Sequence, residues 1–309
     1  MHAPQFTGIL AAVVTPLTAD GSAVDAEGVR RQTEHIVSGG ISGLVPGGST
    51  GEFTTLSTAE RKRVTELYVE AAAGRVPVVA GTGALSTAET VELSAHAEQA
   101  GAAAVMVVPP FYDTPSWEEL LAHYGAVSQA IGIPVMYYNI PAATGVDLTP
   151  EQFARLAGET GVTSFKDTGG DFPRFTAVTQ HHARDITALN GWDTLTFAAL
   201  ASGATAGVWG TASVIPRLCA DLYDALAVRG DPKAGRELWA KIFPICQFLE
   251  SHNYACAIKT GLDLIGHSAG PTRRPVLPLA PRHRDELRAL LVAAGESVAE
   301  DTQDTLAAR

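Results

Sequence analysis

Of the 22 basic residues in this 309-residue chain only five are lysines: Lys62, Lys166, Lys233, Lys241 and Lys259. Lys166 stands alone between positions 63 and 232, at the end of Val162-Thr163-Ser164-Phe165 and just before Asp167-Thr168-Gly169-Gly170-Asp171. A lysine closing a buried strand keeps its stem among apolar side chains. Desolvation there disfavours the ammonium form and leaves an amine able to attack a carbonyl carbon. The competing reading is a lysine that snorkels from a strand end to water, and position alone does not separate the two.

Other segments carry chemistry of a compatible kind. Gly47-Gly48-Ser49-Thr50-Gly51-Glu52 follows Leu44-Val45-Pro46. Adjacent glycines let backbone N–H groups approach a ligand, and with two hydroxyls they can hold a carboxylate or phosphate. No lysine follows the last glycine, so this is not a nucleotide P-loop; a tight turn with a hydroxyl cap is its plainer reading. Tyr137-Tyr138-Asn139-Ile140-Pro141 and Phe111-Tyr112-Asp113 each put a phenol at the end of an apolar run. A phenol can relay a proton if neighbours assist it, although packing is what most tyrosines do. Asn190-Gly191-Trp192-Asp193 and Gly207-Val208-Trp209-Gly210 offer glycines and polar groups that could approach a ligand or simply make turns.

These segments are punctuation in a regular pattern. Short apolar or β-branched runs at 8–14, 43–46, 77–81, 104–109, 134–139, 163–166, 186–190 and 206–209 read as strands. Between them lie helical patterns, such as 58–73, 87–100, 116–131 and 150–157, several opened by Ser or Thr with an acid or proline behind. Unbroken apolar strands indicate a parallel sheet covered on both faces, and eight βα units predict a closed (β/α)8 TIM barrel over an open doubly wound sheet. After Trp209 the strand signal stops, and 217–228, 233–250, 254–265 and 282–294 read as helices. The expected organisation is a catalytic barrel at 1–215, a helical region packed on it at 216–295 and a flexible tail at 296–309. Ser49, Tyr112, Tyr138, Lys166, Asp193 and Trp209 then come from different units yet share the C-terminal rim, where barrels do their chemistry. Independent turn residues have no reason to gather a lysine, two phenols and a hydroxyl pair on one face.

Composition excludes other classes. A net charge of −11 without a Lys/Arg cluster argues against a nucleic-acid or acidic-membrane partner. Three cysteines without CxxC spacing suit neither a disulfide framework nor a thiolate metal site, and a reducing cytoplasm fits them. The run at 8–14 lacks a basic region ahead of it and is cut by Thr15-Pro16, so it is a poor signal peptide. Gly81-Thr82-Gly83-Ala84-Leu85-Ser86 nearly copies a dinucleotide fingerprint. Ser86 stands for the third glycine, however, and the next strand ends without an acid. The nine histidines show no metal-binding spacing, and no metal or cofactor is expected.

From Gly8 and Thr15-Pro16 through Gly48-Ser49-Thr50-Gly51-Glu52, Ala80-Gly81-Thr82-Gly83, Tyr138-Asn139-Ile140-Pro141 and Lys166-Asp167 to Ile258-Lys259-Thr260-Gly261-Leu262, the sequence resembles the dihydrodipicolinate synthase / N-acetylneuraminate lyase family of Schiff-base enzymes. The resemblance implies that Lys166 forms an imine with a 2-oxo acid, usually pyruvate, and that Tyr138 shuttles protons beside it. It further implies that Ser49 and Tyr112 complete a hydroxyl relay, with Tyr112 reaching in from a neighbouring subunit of a homotetramer. Ser49 and Thr50 match the family's carboxylate-binding pair. Gly48, Thr168, Gly191, Asp193 and Trp209 are the remaining substrate-binding candidates, with Trp209 expected to narrow the pocket at the mouth of the eighth strand.

Two departures bear on substrate. Synthases of the family carry an arginine two residues after the proline of the tyrosine motif, where this chain has Ala143; the lost clamp removes affinity for an aldehyde bearing a carboxylate. N-acetylneuraminate lyases usually follow the aspartate with a glutamate, where this chain has Thr194. The expected activity is a cytoplasmic class I aldolase or lyase acting on a 2-oxo-3-deoxy sugar acid or related hydroxy-oxo acid. The alternatives are a synthase or dehydratase using the same imine, and a non-catalytic 2-oxo-acid-binding barrel.

Overall fold

The computed structural model of the chain describes residues 6–299. Eight strands, β1 (Gly8–Ala12), β2 (Gly43–Val45), β3 (Val79–Gly81), β4 (Ala104–Val107), β5 (Val135–Asn139), β6 (Val162–Asp167), β7 (Thr187–Asn190) and β8 (Ala206–Trp209), alternate with helices. They pair in parallel in the order β2-β1-β8-β7-β6-β5-β4-β3. A bridge between Leu44 and Val78, with Gly81 N donating to Pro46 O at 2.8 Å, joins β2 to β3 and closes the ring. The fold is a (β/α)8 TIM barrel with C-terminal helices. Each expected strand overlaps an observed one, and the apolar run at 8–14 is β1, buried along its whole length.

Alternation along each strand sorts the side chains. Leu10, Val45, Met106, Met136, Tyr138, Leu189 and Val208 fill the barrel. Their neighbours Val105, Tyr137 and Phe165 face outward onto the helices. Each large side chain so buried contributes on the order of 1.5–3 kcal/mol. Helix starts follow the local chemistry seen in the sequence. Ser57 with Glu60 and Thr149 with Gln152 form capping boxes, and Pro150 opens its helix; each cap is worth about 1 kcal/mol.

The helices Pro216–Tyr223, Pro232–Glu250, Tyr254–Leu264 and Pro281–Ala294 share one apolar cluster with the barrel, in which Ile9, Val13 and Leu44 meet Ile245, Ile258, Leu262 and Leu291. Of the tail expected at 296–309, Ala299 N donates to Leu264 O at 2.7 Å and Val298 packs on the core, so its first four residues are bonded to the body. Residues 300–309 lie outside the described residues. Among the described residues no helix is long and apolar enough to cross a membrane.

Burial of one histidine, beside a second, is expected to make the fold acid-sensitive. The ring of His35 stacks on that of His267 with centroids 4.1 Å apart. Burial, then the proximity of His267, lowers the pKa of His35 from 6.5 to about 4. The folded state thus holds this ring neutral where the unfolded chain protonates it, so the stability it contributes is complete above pH 6.5 and lost as pH falls through 4. Urea unfolding at stepped pH should show a loss of up to about 3 kcal/mol over that window. His35→Phe should flatten this limb; an unchanged slope would assign the acid sensitivity elsewhere.

Candidate active site

Two adjacent strands build the centre. β5 and β6 start in register at Val135 and Val162, but one residue is then skipped, so that Met136 partners Ser164 and Tyr138 partners Lys166. Without that offset Lys166 would lie opposite Asn139. With it, the amine and the phenol leave neighbouring strands side by side on the inner face, and Lys166 Nζ sits 4.4 Å from the centroid of the Tyr138 ring. Lys166 is only 5% exposed. The preceding phenol, Tyr137, points outward against Tyr124 and Phe153, where burial pushes its ionisation far above the usual range. Of the two phenols in the motif, Tyr138 faces the chemistry.

Behind the pair, Asn139 Nδ2 donates to Asp167 Oδ1 at 2.7 Å, and Gly169 N donates to the same oxygen at 2.9 Å. Burial raises the Asp167 carboxyl above its usual range, opposed by the Asn139 bond and the nearby Arg174 guanidinium. These contacts fix the ends of both strands.

Gly191 lies against the lysine. A Cβ there would fall 2.6 Å from Cγ and Cε of Lys166 and 2.7 Å from Thr168 Oγ1. Gly191 therefore makes room for the Lys166 stem. Gly191→Ala should displace that stem and slow borohydride-trapped imine formation by about 10- to 100-fold, at a stability cost of about 1–3 kcal/mol. Wild-type trapping kinetics in the variant would remove this role.

The loop Gly47–Glu52 forms another side of the centre, with Ser49 and Thr50 lining the cavity. Gly47 adopts φ +73°, and a Cβ on Gly81 would fall 2.3 Å from Gly47 O. The glycines of Gly81-Thr82-Gly83 thus serve close backbone packing against this loop. Thr15 Oγ1 donates to Gly51 O at 2.7 Å. Glu52, at the loop's end, pairs with Lys259 Nζ at 2.7 Å, both side chains buried, and accepts from Arg273 N at 3.0 Å. Arg273 also reaches Thr55 O and Glu60. The two C-terminal residues thereby clasp the loop that carries Ser49 and Thr50. Burial lowers the pKa of Lys259, and Glu52 counteracts this.

A cavity of about 240 Å³ joins these parts and is lined by Lys166, Tyr138, Ser49, Thr50, Thr168, Gly191, Asp193 and Trp209, among others. Gly48 lines an adjoining crevice beside Met106 and Tyr138. Tyr112 and Trp209 are placed very differently. Tyr112 is 86% exposed and lines no part of the cavity, because its bend after β4 runs outward while Phe111 packs on Phe53. Trp209 lines the cavity from the eighth strand and is packed fully into the hydrophobic core behind it.

Asp193 is held more firmly than a free substrate contact would be. Its Oδ2 accepts from Thr211 N at 3.1 Å, from Thr211 Oγ1 at 2.5 Å and from the Tyr254 hydroxyl. Burial raises its pKa, while the bonds from Thr211 and Tyr254 and the charge of Lys166 draw it back. Tyr254 and Glu250 also line the cavity, and the sequence reading missed both. Glu250 ends the helix Pro232–Glu250 and accepts from Thr194 N at 2.9 Å and Thr194 Oγ1 at 2.8 Å. Nothing local marks it; the departure at Thr194 was the one available pointer.

Residues 5–294 match the dihydrodipicolinate synthetase family along nearly the whole chain. The chain belongs to that family. It is 35% identical over 292 residues to the 4-hydroxy-tetrahydrodipicolinate synthase of Methanopyrus kandleri, covering 94% of this chain and 97% of that protein. It is 38% identical over 291 residues to the synthase of Rhodospirillum centenum, covering 94% and 99%. Among solved structures, the chloride-inhibited dihydrodipicolinate synthase of Acinetobacter baumannii complexed with pyruvate superposes with TM-score 0.90 at 32% identity, covering 95% of this chain and all of that one. A prophage protein of the family from E. coli K12, also in complex with pyruvate, superposes with TM-score 0.88 at 30% identity over 95% of this chain and all of that one. As a member of the dihydrodipicolinate synthetase family the protein is a class I, Schiff-base carbon–carbon lyase. Ala143 is exposed on the short helix Pro141–Thr144 and presents no charge.

Proposed function

We propose that the enzyme condenses Lys166 with the C2 carbonyl of pyruvate and catalyses reversible aldol cleavage of a 2-oxo-3-deoxy sugar acid or related hydroxy-oxo acid. The observation that carries this reading is the buried amine, 4.4 Å from the Tyr138 ring, in a cavity shared with Ser49 and Thr50. The neutral amine attacks C2 and water departs, leaving a protonated imine. In cleavage Tyr138 takes the C4 hydroxyl proton while the C3–C4 electron pair flows into the imine, releasing an aldehyde and an enamine. The enamine is protonated at C3, and hydrolysis returns pyruvate and free lysine. Ser49, Thr50 and the backbone at Gly48 hold the pyruvate carboxylate. Tyr112 reaches the site of a second copy in a homotetramer and completes the hydroxyl relay, which accounts for its exposure in one chain. We place the enzyme in the cytoplasm, where its three unpaired cysteines suit a reducing environment.

A second reading, 4-hydroxy-tetrahydrodipicolinate synthase itself, is favoured by the names of the relatives. The absence of a guanidinium at Ala143 weighs against it. Borohydride reduction in the presence of pyruvate, intact mass and peptide mapping test the shared step. A screen of 2-oxo acids for pyruvate release then separates the two. No adduct on folded protein would overturn both.

A further inference from the structure

The cavity wall has a charge pattern that restricts the second reactant. Among the described residues that line it, Lys166 is the only cation, while Asp193 and Glu250 are carboxylates. They are held differently. Asp193 commits Oδ2 to Thr211 and Tyr254. Glu250 accepts from Thr194 backbone N on Oε1 at 2.9 Å and from Thr194 Oγ1 on Oε2 at 2.8 Å, and the Trp192 side chain bonds to the same carboxylate. Together these contacts fix the plane of the Glu250 carboxylate and still leave it capacity to accept a further donor from the cavity. The side chain is partly buried, so a group bound there meets little competing water.

We infer that Glu250, positioned by Thr194, sets the charge class of the aldehyde partner, accepting hydrogen bonds from the hydroxyls of a neutral polyhydroxy aldehyde and excluding one that ends in a carboxylate. This rests on the imine reading above and adds the substrate class. A hydroxylated chain supplies donors to lone pairs already oriented, so little ordering accompanies binding. An acidic chain end would bring a third negative charge beside Asp193 and Glu250 with no cation but the lysine, which is engaged as the imine. Like-charge juxtaposition of this kind is a device of specificity.

The test compares condensation of pyruvate with glyceraldehyde, neutral and hydroxylated, and with succinic semialdehyde, which ends in a carboxylate, in wild type, Glu250→Gln and Thr194→Val. Wild type should favour glyceraldehyde in kcat/KM by about 10-fold or more. E250Q should raise the KM for glyceraldehyde by about 10-fold with a smaller effect on kcat, and should raise kcat/KM for succinic semialdehyde. T194V leaves the carboxylate in place but frees it to rotate, and should move the ratio the same way by about 3-fold. A ratio in E250Q within about twofold of wild type would overturn the inference, as would a wild-type preference for succinic semialdehyde or for the cationic 3-aminopropanal. If circular dichroism shows E250Q unfolded, T194V decides, and an unmoved ratio counts against the assignment. Failure of wild type to form a borohydride-trapped pyruvate adduct at Lys166 overturns the imine reading itself, and is read separately from any change in preference.

Discussion

Lys166→Arg should abolish turnover, lowering kcat/KM by a factor on the order of 10⁴ or more. Arginine keeps a positive charge and a long stem at a position 5% exposed, but it does not deprotonate and so offers no nucleophile. The measurement is pyruvate release from the active 2-oxo acid, paired with intact mass after borohydride reduction. Wild type should gain one pyruvate-sized adduct per chain and the variant none. The control is internal to the fold. Lys259 is the other buried lysine, and it is engaged by Glu52 at 2.7 Å and by Pro271 O at 2.7 Å. An adduct persisting in the variant on Lys259 or any other lysine would end the assignment.

Tyr138→Phe should lower kcat by about 10²- to 10³-fold while leaving the denaturation midpoint close to wild type. The substitution keeps the ring against which Lys166 Nζ rests and deletes only the hydroxyl. Imine formation should remain detectable but slow, because the amine is still buried and placed. The two variants therefore separate along the reaction: one fails to capture pyruvate, the other captures it and stalls at proton transfer. A Tyr138→Phe enzyme with wild-type kcat would transfer the proton's path to another group, with Tyr254 the other phenol among the residues lining the cavity.

The barrel was legible because its strands are short apolar runs bounded by glycine and proline, and because capping residues such as Ser57 and Thr149 announce the helices between them. The centre was legible for a related reason. Lys166 and Tyr138 end strands, and a parallel barrel brings all strand ends to one rim. What escaped came from long-range geometry. Glu250 and Tyr254 belong to amphipathic helices whose sequence signal is the same whether a polar residue faces water or a cavity. Gly191 was read as a ligand contact, since nothing in one dimension shows that a Cβ there would strike the Lys166 stem. Trp209 was read as narrowing the pocket because it is large and ends a strand; its full burial depends on side chains far away in sequence, such as Ile9. Tyr112 is exposed in one chain, and its part in the site belongs to the proposal that a second copy receives it.

The clasp of Glu52 by Lys259 and Arg273 has a consequence for the order of events during synthesis. Glu52 and the Arg273 amide that binds it are 221 positions apart, and Lys166 on β6 is also made before Lys259 and Arg273 have been translated. A nascent chain thus carries Lys166 for a time without the finished clasp on the loop that holds Ser49 and Thr50. On the proposed reading, activity becomes a late property of the polypeptide, switched on when the last helices arrive, and a half-made copy released early would hold Lys166 without the finished cavity around it.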